Sequence, residues 1–320
     1  MHGLWSVREE LPISSPRVAI HPRERQPRLA DALERAAQAA GSSLVAPAEA
    51  EVLLEAGGTP EQLVAVLEDA PQLQWISLPA AGVEKFVPLV DEARIWTCAR
   101  GAYGPVVAEH ALALTLAGLR DIPHFSRANG WEERRLGRSL QDVRVTVLGG
   151  GDIARCFIRL LEPFGTDVTV VRNRELPVPG AARVLPPSGL HEALDNADVV
   201  VVALALTPTT TRIIDADTLD AMPEHSWLVN VARGGHVEQE ALMKALHEGT
   251  IGGAALDVTD PEPLPADHPL WSAPNLLVTP HVANPPEVAY RRLAEQAEEN
   301  LRRFTGGREL LGRIDPQLGY

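Results

Sequence analysis

An α/β fold in two domains, one of them a doubly wound parallel sheet, follows from a glycine pattern, its mid-chain position and the apolar runs beside it. Val145 to Ala154 reads VTVLGGGDIA, a strand-forming run that leads directly into Gly149-x-Gly151-x-x-Ala154. A fold that begins near residue 143 leaves about 140 residues upstream, enough for a separate domain. Further apolar runs follow at Asp167–Val171 and at Asp198–Leu204 (DVVVVAL), the second reading as a fully buried parallel strand.

The glycine pattern has a physical reading. A chain that turns tightly from a buried strand into a helix suits Gly149, and close backbone approach to a pyrophosphate suits Gly151, which has no Cβ. The helix start at Asp152 and Ile153 offers unpaired N–H groups and a positive dipole end to phosphates. Such a strand–glycine–helix unit is the Rossmann fingerprint of a dinucleotide site. At the end of the second strand, where an NAD site places a carboxylate for the ribose hydroxyls, this chain has Arg172, Asn173 and Arg174. Guanidinium groups suit a 2′-phosphate, so the sequence favours NADP(H), with NAD(H) as the second option. A solvated basic loop is the alternative for both arginines.

Composition narrows the class. With 320 residues, 45% of them hydrophobic, the chain can bury two ordinary cores. Its net charge of −14 opposes general nucleic-acid binding. Cys98 and Cys156 are the only cysteines, which argues against a disulfide framework and a cysteine zinc site; no other metal-ligand spacing stands out. The first residues, MHGLWSVREE, show no leader pattern, and no run of about 18 apolar residues occurs, so a cytoplasmic protein without a membrane span is expected.

Along the chain, Arg17–His21 predicts a first strand, Arg28–Ala40 a helix and Leu73–Leu78 another strand. Thr59-Pro60-Glu61-Gln62 predicts a helix start in which Thr59 caps and Gln62 returns a bond. Val106–Leu119, rich in Ala and Leu, predicts a long helix leading into the cofactor domain. Glu287–Phe304 reads as an amphipathic helix returning to the first domain.

Three predicted strand ends carry chemistry. Arg233 follows Trp227–Val229 in NVARGG, Asp257 and then Glu262 follow Ala255-Leu256, and His281 follows Asn275–Thr279. Ligands of doubly wound sheets bind at such carboxyl ends. Taken singly, Arg233 reads as a surface or capping residue, Glu262 as a solvated acid and His281 as a core histidine. Together they form a usable set, whereas His110, His124 and His268 read as structural.

From about Leu78 onward the sequence resembles the D-isomer-specific 2-hydroxyacid dehydrogenase family. The resemblance rests on the fingerprint at Gly149, LTPTTTRIID from Leu206, NVARGGHVEQEAL from Asn230, GGAALDV from Gly252, EPLPADHPLW from Glu262 and TPHVAN from Thr279. It implies a Rossmann cofactor domain, residues 104–285, inserted in a flavodoxin-like substrate domain of residues 1–103 and 286–320. It also implies a homodimer and a small 2-oxo or D-2-hydroxy acid as partner. In that frame His281 supplies the proton, Glu262 orients it, and Arg233 binds the substrate carboxylate, with backbone N–H groups near Ala81 and Gly82 taking its other oxygen. Asp257 contacts the nicotinamide amide, and Thr207, Val231 and Ala232 flank the cofactor. The loop Cys98–Gly104 and the Ala283-Asn284-Pro285-Pro286 run after the histidine motif depart from many members, and the former is closer to glyoxylate and hydroxypyruvate reductases. The other class open to this fold is a dinucleotide-sensing binding protein.

Overall fold

A computed structural model describes residues 15–131, 133 and 137–315. The chain divides into two compact units, one from the described parts of 1–102 and 286–320 and one from 103–285.

The first unit opens with β1 (Arg17–His21), α1 (Pro27–Ala39), β2 (Ser43–Leu44), β3 (Val52–Glu55), α2 (Pro60–Asp69), β4 (Trp75–Ser77) and β5 (Ile95–Thr97). Its five strands lie in the order β2-β1-β3-β4-β5, all parallel. The helix start at Thr59 carries the full capping box: Gln62 N–H donates to Thr59 Oγ1 (3.4 Å), and Thr59 N–H donates to Gln62 Oε1 (3.0 Å). Ala19, Leu53, Ile76 and Trp96 are buried under Leu63 and Val66 of α2.

The second unit begins with α3 (Gly104–Leu119) and α4 (Ile122–Phe125), followed by β6 (Arg144–Leu148), α5 (Asp152–Leu161), β7 (Asp167–Val171) and β8 (Arg183–Leu185). It continues through α6 (Leu190–Leu194), β9 (Val199–Val202), α7 (Ala216–Asp220), β10 (Trp227–Asn230), α8 (Gln239–Glu248), β11 (Gly253–Leu256) and β12 (Leu276–Val278). The seven strands run in the order β12-β11-β10-β9-β6-β7-β8, every pair parallel. The order turns back on itself at β6 and β9, which makes that sheet edge the switch point of a doubly wound fold. Both faces are covered, as a parallel sheet requires. Val145, Val147, Val199, Val201 and Val229 face α3 and α5, with Ala108, Ala111, Phe157 and Leu161 buried against them. Leu148, Val200, Val202, Leu228 and Ala254 face the other way, over Leu242 and Leu246 of α8. The last helix, α9 (Pro286–Thr305), belongs to the first unit and packs on α1.

At the amino end of the second sheet, opposite to the fingerprint, Asp198 gathers charge. Its carboxylate accepts from the Arg144 N–H (2.8 Å), Arg138 Nη2 (2.7 Å) and His225 Nε2 (2.8 Å). Burial by itself pushes this carboxyl up, but these donors outweigh it and hold the pKa at about 2. Because the folded value lies below the unfolded one, the stabilisation is complete above pH ~4 and is lost as pH falls toward 2. Asp198→Asn should therefore cost about 2 kcal/mol at neutral pH and flatten the stability curve between pH ~4 and ~2, measured by urea unfolding across that range.

Candidate active site

The cofactor side of the site is built at the carboxyl ends of β6, β7 and β9. Gly149 has φ +114°, and a Cβ there would stand 2.3 Å from the Ala203 carbonyl oxygen, so only glycine fits between the two strand ends. Its N–H donates to Val171 O (2.8 Å), which draws the end of β7 alongside. Gly151 is the N-cap of α5, and a Cβ on it would meet nothing within 4 Å. Open space in front of unpaired helix N–H groups is the cradle that a pyrophosphate needs. Arg172 lies half-buried beyond β7 with its Nη1 shut off from solvent and unpartnered, while Asn173 and Arg174 are exposed. A buried donor without an acceptor is costly, and a phosphate oxygen would relieve it. These residues fit a dinucleotide. After β9, the Thr207 N–H donates to Thr210 Oγ1 (2.8 Å) and its hydroxyl lies 3.1 Å from those of Thr209 and Thr210.

The segments after β10, β11 and β12 carry the candidate residues Arg233, Glu262 and His281. Val231 and Ala232 are buried. Asn230, fully buried, folds the turn after β10: its Oδ1 accepts from the Ala232 N–H (3.0 Å) and its Nδ2 donates to Arg233 O (2.8 Å). Arg233 Nη1 donates to Ala232 O (2.7 Å), which sets the root of the guanidinium. The next residue cannot carry a side chain, because a Cβ on Gly234 would stand 2.0 Å from the Thr259 carbonyl carbon. That backbone contact joins the Arg233 turn to the segment leading to Glu262. The Gln239 side chain grips the same segment, donating to Asp260 O and accepting the Asp260 N–H (3.3 Å). Glu262 in turn meets His281: their side chains are hydrogen-bonded through Nδ1, each partly open to solvent. His281 has φ +52°, and its N–H donates to Asp257 O (2.8 Å).

A family model described as D-isomer specific 2-hydroxyacid dehydrogenase, NAD binding domain, matches residues 109–283. The chain belongs to this family. It is thus an NAD(P)-dependent dehydrogenase. A protein from Corynebacterium melassecola, named only as an uncharacterized protein in the proB 3′ region, is 34% identical over 85% of this chain and 90% of its own length. A glyoxylate reductase of Thermofilum pendens is 32% identical over 74% of this chain and 73% of its own. Among solved structures, a D-isomer specific 2-hydroxyacid dehydrogenase from Xanthobacter autotrophicus Py2, in complex with NADPH and MES, is 30% identical with a TM-score of 0.84, covering 96% of this chain and 100% of that one.

Within this dehydrogenase, two acidic side chains are held by protein neighbours. The Asp152 carboxyl packs against Gly104 at the start of α3, where a Cβ would stand 1.8 Å from Oδ2, and Cys156 Sγ reaches Oδ1 at 3.9 Å; burial pushes the carboxyl up despite the nearby Gly104 backbone, Arg155 and Arg159. Asp257 is 1% exposed and its carboxylate is a scaffold. Oδ1 accepts from Thr279 Oγ1 (2.6 Å) and the Val282 N–H (3.0 Å), Oδ2 accepts from the Ala283 N–H (3.1 Å), and His110 Nε2 reaches Oδ1 at 3.3 Å. Burial raises this carboxyl, but the His110, Thr279, Val282 and Ala283 donors prevail and hold it below the usual carboxylate range. His110, which reads as structural from the sequence, therefore belongs to the array behind the His281 loop. Its signal was a lone histidine on a helix face beside the buried Ala108 and Ala111. His268 caps the turn Pro269–Ser272, its Nδ1 accepting the Leu270 N–H (3.2 Å). Ala81 and Gly82 follow the carboxyl end of β4 in the first unit.

Asp257→Asn turns an N–H donor toward the donors that the carboxylate now satisfies. This should destabilise the protein by about 1–3 kcal/mol in urea unfolding. It should also release the 281–283 segment, seen as faster amide exchange at Val282 and Ala283.

Proposed function

We propose that this dehydrogenase works as an NADP(H)-preferring reductase of glyoxylate, hydroxypyruvate or a similarly small 2-oxo acid. The observation that carries the proposal is the His281–Glu262 pair, held at the same sheet edge as Arg233. A nicotinamide dinucleotide, when bound, supplies a hydride to the carbonyl carbon. Glu262 engages His281 Nδ1, so Nε2 is the ring atom that gives the proton to the carbonyl oxygen. Arg233 receives the substrate carboxylate in its planar fork, a task a lysine performs less well. Hydride and proton together convert the 2-oxo group to a 2-hydroxyl group, primary from glyoxylate and secondary from a 2-keto acid, which balances the reaction.

Gly149, Gly151 and the start of α5 hold the pyrophosphate in this reading, Arg172 and Arg174 the 2′-phosphate, and Thr207, Val231 and Ala232 flank the dinucleotide. Asp257 is the residue placed near the nicotinamide, acting there through the loop it organises. Ala81 and Gly82 are assigned to the second carboxylate oxygen on family resemblance alone. The same resemblance suggests a homodimer, and the exposed Ile122, Phe125 and Trp131 give a second copy apolar surface to cover. The free, buried Cys98 and Cys156 suit a reducing cytoplasm. Among the described residues no helix is long and apolar enough to cross a membrane.

The test is oxidation of NADPH and NADH, followed by absorbance, with glyoxylate, hydroxypyruvate, pyruvate and phenylpyruvate supplied separately. Turnover of a small acid with NADPH at least about tenfold better than NADH in kcat/KM is expected. No turnover by protein that binds a dinucleotide would overturn the proposal in favour of a sensing module.

A further inference from the structure

The three consecutive glycines Gly149, Gly150 and Gly151 are not equivalent. Gly149 is fixed by its positive φ and the Ala203 carbonyl, and Gly151 opens on empty space. Gly150, between them, has a φ outside the left-handed range, so its backbone would accept any residue. What a side chain there would meet is Arg172: a Cβ on Gly150 would stand 2.8 Å from Cδ, 2.9 Å from Nε and 3.0 Å from Cζ. The guanidinium stem therefore lies directly against the Gly150 backbone, in the volume that any other residue would fill.

The root of Arg172 cannot retreat. Its N–H donates to Leu185 O (3.0 Å), and the preceding Val171 carbonyl accepts the Gly149 N–H (2.8 Å). The side chain is thus pinned at the strand end and bedded on Gly150 over its outer half. In that pose Nη1 has no hydrogen-bond partner and no solvent.

We infer that Gly150 is a specificity-determining position, whose missing side chain lets Arg172 lie where it can hold the 2′-phosphate of NADP(H). The inference rests on the NADP(H) reading above. Arg172 alone is insufficient on this account, because a guanidinium displaced by a Cβ loses the planar, two-bond geometry that makes arginine a good phosphate ligand. Since the atoms in the way belong to a long flexible side chain and not to backbone, a small residue at 150 should move the guanidinium without unfolding the domain.

The experiment is calorimetric titration with adenosine 2′,5′-bisphosphate and with 5′-AMP, which differ only in the 2′-phosphate. Wild type, Gly150→Ala, Gly150→Ser, Arg172→Ala and the double variant Gly150→Ala/Arg172→Ala are compared, each checked for an unchanged melting temperature. Wild type should bind the bisphosphate at least about tenfold more tightly. Gly150→Ala and Gly150→Ser should lose most of that ratio while 5′-AMP affinity changes by less than about twofold. In the Arg172→Ala background, Gly150→Ala should change nothing further, since the two act through one contact. A wild-type preference that survives both Gly150 substitutions overturns this inference and leaves the NADP(H) reading standing. Equal weakening of both ligands also overturns it, by making Gly150 a general turn residue. A wild type that does not distinguish the ligands removes the NADP(H) reading itself.

Discussion

A buried carboxylate must find donors, and the candidate site depends on how Asp257 finds them. At 1% exposure, the group takes bonds from an α3 histidine, from the threonine just after β12, and from two backbone N–H groups just past His281. Leaving any of these donors or the carboxylate unpaired in the interior would cost far more than a surface bond is worth. The loop therefore has little choice of path, and the left-handed backbone of His281, unusual outside glycine, is sustained by what surrounds it. Asp257 thereby decides where the His281 imidazole stands.

The same economy runs along the sheet edge. Arg233, Glu262 and His281 come from segments after three adjacent strands, and each segment is tied to its neighbour by something other than the reactive groups. Gly234 lets the Arg233 turn touch the Thr259 backbone, Gln239 grips Asp260, and the Asp257 carbonyl accepts the His281 N–H. Support from below fixes where these side chains stand, and in the proposed mechanism the His281–Glu262 bond is itself part of the chemistry. At the opposite edge, Asp198 binds Arg138, Arg144 and His225, holding charge that contributes to stability alone.

Much of this was legible in the sequence where the cause is local. The capping box at Thr59 and Gln62 needs only neighbouring residues, and so do the strand–glycine–helix turn at Gly149 and the valine run of β9. The short β2, β3, β5 and β8 escaped because two to four residues carry no clear periodicity, whereas the equally short β4 and β12 were read as parts of the longer runs Leu73–Leu78 and Asn275–Thr279. The role of His110 was hidden because its partner Asp257 is distant in sequence and meets it only when α3 packs on the sheet. Asp152 sits in the fingerprint, yet its carboxyl goes to Gly104, a preference that no linear motif encodes. Gly150 is the converse: an ordinary glycine by sequence, whose meaning lies in the Arg172 side chain packed on it.

The most direct measurement is the turnover of His281→Asn, a substitution that tolerates the left-handed backbone but cannot carry a proton. With the best 2-oxo acid and saturating NADPH, kcat/KM should fall by about 10²–10⁴-fold, while the NADPH dissociation constant from fluorescence stays within about twofold. Turnover near the wild-type level with unchanged cofactor binding would contradict the account, because the proton would then come from a group other than the one this sheet edge is built to hold.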